Sequence, residues 1–177
     1  MKRDYLLLLL MLLVSSIAFA ARDYVPEPYT WTEQSKNSSE SMPCGGHDVG
    51  MNVWVENGDL MIYLSRSGFF DENNTLLKAG RLRLHIDMPK QAGKTVFDGD
   101  DFQQTLCLDD GAMYIKGSEV EVRLWADVHE PVVFADIKSK TAISATLSYE
   151  SWRHHDRFVP REACQQFSWK WLTKGKH

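Results

Sequence analysis

The strongest constraint on this chain is a period of two. From Glu119 to Asp127, Val120, Val122, Leu124 and Ala126 alternate with Glu119, Glu121, Arg123, Trp125 and Asp127. Successive side chains of an extended strand point to opposite faces, so this pattern buries one face and wets the other, which a helix of 3.6-residue period does not. The same alternation runs through Met51–Glu56, Asp59–Ser65 and Arg81–Asp87. Between the first two of these lies Asn57-Gly58, the pair that best supplies the two positive-φ positions of a type I′ hairpin turn. Asp110-Gly111 occupies the same place between Phe102–Leu108 and Ala112–Lys116, and Val132–Lys138 and Ala142–Tyr149 complete eight expected strands. The one helical possibility is a single turn around Asp71 to Ala79. The expected fold class is all-β, an antiparallel β-sandwich of about eight or more strands.

The chain opens with Lys2-Arg3, an apolar run from Tyr5 to Val14, and Ala18-Phe19-Ala20. That order is the layout of a secretory signal peptide cleaved after Ala20. The apolar run is shorter than the ~20 residues a membrane-spanning helix needs, so no stable membrane anchor is expected after cleavage. An exported, periplasmic or extracellular protein is expected. The rest divides into a polar arm over 21–41, the sandwich over 42–157 and a tail or linker stub over 158–177. The formal net charge is −4, and without a basic run it argues against a nucleic-acid partner. Three cysteines, Cys44, Cys107 and Cys164, allow at most one disulfide, with Cys44–Cys164 the favoured pairing. Cys107, between Leu106 and Leu108, reads as a small core residue.

The densest chemistry in the sequence is SMPCGGHDVG, Ser41 to Gly50. Cys44, His47 and Asp48 are all metal-ligand types, and His154-His155-Asp156 is a second such cluster, but neither shows the paired ligand spacing of a closed zinc site. Cys44 with His47 has the residue types of a thiol nucleophile and its base, with Gly45 and Gly46 offering backbone N–H groups. The plainer reading makes Gly45-Gly46 a turn that His47 and Asp48 tie down through side-chain hydrogen bonds. No carboxylate pair stands out for glycosidic chemistry, since Asp71, Glu72 and Glu150 are not distinguished from other acids by spacing. Trp54 and Trp125 fall opposite the aliphatic stripes of their strands, where a tryptophan stacks on sugar, meets another domain or forms a second core layer. No cofactor or metal is expected.

Three stretches in order, Ser41–Asn74, Leu76–Ile86 and Ser148–Arg157, resemble a bacterial domain-of-unknown-function family. That family forms the amino-terminal β-sandwich of large exported proteins resembling six-hairpin (α/α)6-barrel glycosidases, of the glycoside hydrolase family 95 kind. The resemblance implies a sandwich that packs against a barrel carrying the catalytic carboxylates, so it brings no catalytic residue to this chain. It implies instead a cleft rim or interdomain surface built from Cys44, Gly45, Gly46, His47, Asp48, Asn52, Trp54, Arg66, Asp71, Glu72, Asn73, Glu150, Trp152 and Arg153. The implied function is a non-catalytic, carbohydrate-associated module whose partners are a glycosidase barrel or a glycan. The alternatives are a free-standing glycan-binding protein, which needs Trp54, Trp125 or Trp152 on a common face, and a small metal- or thiol-dependent enzyme around Cys44 and His47.

Overall fold

The computed structural model describes residues 26–70, 76–88, 93–152 and 154. The leader, Asp71–Asn73, Arg153, His155 and the tail with Cys164 lie outside the described residues. The rest forms ten strands: β1 (Tyr29–Trp31), β2 (Met42–Gly46), β3 (Val49–Glu56), β4 (Asp59–Arg66), β5 (Gly80–Asp87), β6 (Gln103–Cys107), β7 (Ala112–Gly117), β8 (Val120–Ala126), β9 (Val133–Ser139) and β10 (Ser144–Glu150). They make two five-stranded antiparallel sheets, ordered β1-β6-β7-β8-β9 and β10-β5-β4-β3-β2. The chain is therefore an all-β sandwich. Each of the eight expected strands appears with ends shifted by at most two residues.

The alternation builds the core directly. Val120, Val122, Leu124 and Ala126 of β8 are buried while the residues between them are half-exposed. Facing them and β7 are Val53, Val55, Leu60, Ile62, Leu84 and Ile86 of the second sheet. The most deeply buried polar side chain among the described residues is Gln104 of β6, 1% exposed. Its Nε2 donates to the Val53 carbonyl of the opposite sheet at 3.1 Å and contacts the Met113 sulfur at 3.4 Å, which meets the need of a buried amide for a partner. This stitch across the layers was not legible from Gln104 alone.

The turns show which local signals hold. Asn57 and Gly58 have φ of 52° and 79°, and they close β3 onto β4 as a type I′ turn requires. Ser118 and Glu119, at φ 46° and 68°, make the same kind of turn between β7 and β8 without a glycine. Glu119 thus belongs to a turn rather than to the strand its alternation suggested. Asp101 helps hold the turn, accepting the Ser118 N–H at 2.8 Å.

Two other expectations are corrected. Gly45 and Gly46 do not form a turn; they end β2 and pair with Gly50 and Val49, and the turn is His47-Asp48 with His47 at φ 49°. Cys107 is not a core residue, because Gln104 and Leu106 take the inward positions of β6 and leave Cys107 half-exposed on the outer face. Of the helical turn expected around Asp71 to Ala79, residues 71–75 lie outside the described residues, and Leu76–Ala79 are not helical.

Candidate functional site

The outer face of the β10-β5-β4-β3-β2 sheet carries an aromatic group beside a ladder of paired charges. The cross-strand register sets both. Asn52 opposes Tyr63, and Trp54 opposes Met61. Tyr63 opposes Arg81, and Met61 opposes Arg83. Arg81 opposes Glu150, and His85 opposes Thr146. Residues at these positions share one face because the strand period is two.

In the aromatic group, the Trp54 and Tyr63 ring centroids lie 4.7 Å apart and Trp152 meets Tyr63 edge-on at 5.8 Å. The Lys78 ammonium sits 4.0 Å above the Tyr63 ring, a cation–π contact. Asn52, Tyr63, Leu64, Ser65 and Leu76–Lys78 line a depression of about 190 Å³. Trp152 beside it is 40% exposed, whereas Trp54 is 0% exposed. Trp54 is therefore corrected as a surface residue. Its indole Nε1 donates to Glu56 at 2.8 Å and its ring supports Tyr63 from within, so it offers no face to a ligand.

The charge ladder begins at Asp59, which accepts from Arg83 Nη1 at 2.7 Å and His85 Nδ1 at 2.6 Å. Arg83 Nε and Arg81 Nε donate to the two oxygens of Glu150 at 2.7 and 2.6 Å. The two guanidinium groups hold the Glu150 carboxyl below the usual range, Arg83 through the larger effect. His85 also meets Asp87 through Nε2 at 3.2 Å. A carboxylate only accepts, so both ring nitrogens donate at once only when the ring is the doubly protonated cation. The Asp59 contact raises the His85 pKa above its ordinary value of 6.5, with a smaller push from Asp87. Because the folded value is the raised one, this contact stabilises fully below about pH 6.5, and the effect fades as pH rises through the raised value. Thermal unfolding from pH 6 to pH 9 is expected to cost the wild type about 1–3 °C more than His85→Asn, as suits a partly exposed pair. Equal losses in the two proteins would refute the coupling.

Ser41 of the SMPCGGHDVG segment accepts from Asn52 Nδ2 at 3.1 Å, but the His47-Asp48 turn lies elsewhere on the sheet. Asp48 accepts from Arg66 Nε at 2.7 Å and contacts His47 Nδ1 at 3.0 Å, and Arg66 before His47 holds its carboxyl low. By register, the start of β3, the end of β4, the start of β5 and the end of β10 share one end of the sheet. That end brings His47, Asp48 and Arg66 to the same side as Glu150, but β3 and β10 stand three strand spacings apart, roughly 14 Å. The structure thus makes two separate ion clusters rather than one patch. Cys44 points the other way, into the sandwich. Its thiol donates to the Gly111 carbonyl at 3.3 Å, and burial pushes its pKa up. A protonated thiol engaged with a carbonyl, and a His47 engaged with Asp48, do not make a nucleophile and base.

Among the described residues, Cys107, Asp109 and Asp110 are the group of three ligand types lying close together. Asp110 is already occupied by the Tyr114 hydroxyl at 2.6 Å and the Ala112 N–H at 3.0 Å. Burial, with Asp110 and Asp109 adding to it, raises the Cys107 thiol pKa and disfavours the thiolate that a metal needs. Trp125 stacks on exposed Phe134 at 5.2 Å with Arg123 4.6 Å above its ring, but on the outer face of the other sheet. Trp125 and Trp152 therefore share no groove. Tyr63, Lys78, Arg81, Arg83 and His85 were not singled out from the sequence. Alternation put Arg81, Arg83 and His85 on the outward face; only the register reveals their partners.

Residues 30–177 match the DUF5703_N family model, described as a domain of unknown function, DUF5703. No curated protein matches the chain.

Proposed function

We propose that this chain, which belongs to the DUF5703 N-terminal family, is a non-catalytic exported module that binds carbohydrate. In this reading it works beside a glycosidase barrel of the kind its sequence resembles. One observation carries the proposal: half-exposed Trp152 is braced on Tyr63 at the side of a depression of about 190 Å³ lined by Asn52 and Lys78. A braced aromatic face beside amide and ammonium donors suits the apolar ring face and hydroxyl rim of a sugar. The neighbouring Arg81–Glu150 and Arg83–Glu150 pairs keep that carboxylate charged and occupied, which suits a positioning role rather than proton transfer. The leader-like first 20 residues support export.

Titration calorimetry against a panel of neutral and acidic oligosaccharides tests this. Binding is expected, and Trp152→Ala is expected to weaken it about tenfold, or about 1.4 kcal/mol. The circular dichroism spectrum is expected to stay unchanged. Absence of binding across the panel, or equal binding by the variant, would sink the proposal. Hydrolysis of any glycan by the pure chain would overturn its non-catalytic part.

A further inference from the structure

The sandwich has an apolar inner face that the described residues cover only in part, with the Tyr149 hydroxyl donating to the Ala79 carbonyl at 2.7 Å. In β9, Ala135 and Ile137 oppose Leu124 and Val122, and in β10, Ala145, Leu147 and Tyr149 oppose Ile86, Leu84 and Leu82. These partners all belong to the inward-facing sets of β8 and β5. The five residues therefore point to the side where the core lies, yet Ile137 is 36%, Leu147 62% and Tyr149 61% exposed. They carry no charge. β9 and β10 are also edge strands of their sheets, each with one row of backbone groups unpaired by any described strand. Uncharged inward faces on open edges are features that folded proteins keep covered.

We infer that residues 155–177 of this same chain cover this face, adding a strand to the free edge of β10. β10 runs toward Glu150, so a chain that turns back after it meets the β10 edge antiparallel, the pairing a short connection allows. A seven-residue strand such as β10 spans about 23 Å, and residues 151–177 are long enough for both a turn and such a strand. Phe167, Trp169 and Trp171 alternate with Ser168 and Lys170. This period of two would put three aromatic rings on one face, chemically matched to Ile137, Leu147 and Tyr149. The family match also runs through residue 177, so this segment is part of the domain. The inference stands independently of carbohydrate binding, which concerns the opposite face of the sheet.

Hydrogen exchange read by mass spectrometry on the full chain tests it. In the wild type, peptides over 144–150 are expected to be protected at more amides than β5 alone can bond. In Phe167→Ser/Trp169→Ser/Trp171→Ser, exchange there is expected to rise at least tenfold while peptides over 49–66 are unchanged. Should the triple variant unfold, Leu147→Asp decides, since its site is exposed and its effect is read in the other partner: exchange over 165–173 is expected to rise at least tenfold. Unchanged exchange in 144–150 for a folded triple variant, or in 165–173 for Leu147→Asp, would overturn the inference. Protection of 144–150 that grows with protein concentration would assign the face to a second copy and overturn it equally.

Discussion

Trp54→Ala is expected to destabilise the domain by about 4 kcal/mol, the range for emptying a fully buried large aromatic site. For a chain of this size that corresponds to a fall in Tm of about 10 °C. Trp54 is 0% exposed although it lies on the outer face of its sheet. Its loss removes a ring that Tyr63 leans on at 4.7 Å and leaves Glu56 without the indole N–H it accepts at 2.8 Å. Cavity and lost hydrogen bond act together. Trp54→Phe keeps most of the ring volume and should cost clearly less. Urea unfolding followed by circular dichroism measures both; a loss below about 1 kcal/mol for Trp54→Ala would show that the site collapses freely. The variant should also weaken carbohydrate binding, because Tyr63 braces Trp152.

The second large effect is expected at Gly46, where alanine should cost about 3 kcal/mol. A Cβ there would stand 2.6 Å from the Asp127 carbonyl oxygen and 2.9 Å from that of Ala126. Both are backbone atoms at the end of β8, so relief requires moving one sheet against the other. Gly50 provides the control. Its Cβ would meet the Ser65 hydroxyl oxygen at 3.2 Å, the end of a side chain that can rotate away. Gly50→Ala should therefore cost less than about 1 kcal/mol. Equal denaturation midpoints for the two variants would show that β2 is free to shift, and that Gly46 does not set the approach of the sheets.

Gly46 also shows what was hard to read in SMPCGGHDVG. Two adjacent glycines look like a turn because glycine is the residue that tolerates unusual φ. Here Gly46 serves close packing inside a strand, and a non-glycine, His47, takes the positive φ. A missing Cβ can mean either, and only the neighbouring chain decides which. The same holds for His47 and Asp48, whose pairing is local but whose main partner, Arg66, comes from β4. Cys44, three positions before His47, faces the opposite side of the sheet.

The strands themselves were legible because burial of one face imposes a period of two that survives in the sequence. Arg81, Arg83 and His85 could be placed on the outward face by that period, as could Trp54 and Trp125. Their fates then diverged for reasons that no local pattern contains. Trp54 is sealed under its neighbours, Trp125 stays half-exposed against Phe134, and Trp152 gains a role from Tyr63 across the sheet. The Asp59–Arg83–Glu150 ladder joins residues from three strands, so it exists only once the register of β4, β5 and β10 is set.

By itself, the sequence determined the all-β class, eight of the ten strands, the Asn57-Gly58 turn and the inward and outward faces of β3, β4, β5 and β8. These follow from steric preferences and side-chain alternation within a few residues. The tertiary structure alone decided which outward residues meet, which tryptophan remains accessible, why Gly46 has no side chain, and that the described residues leave the inner faces of β9 and β10 partly exposed. Each of these depends on contacts between segments far apart in the chain, and such contacts leave no periodic trace in the sequence.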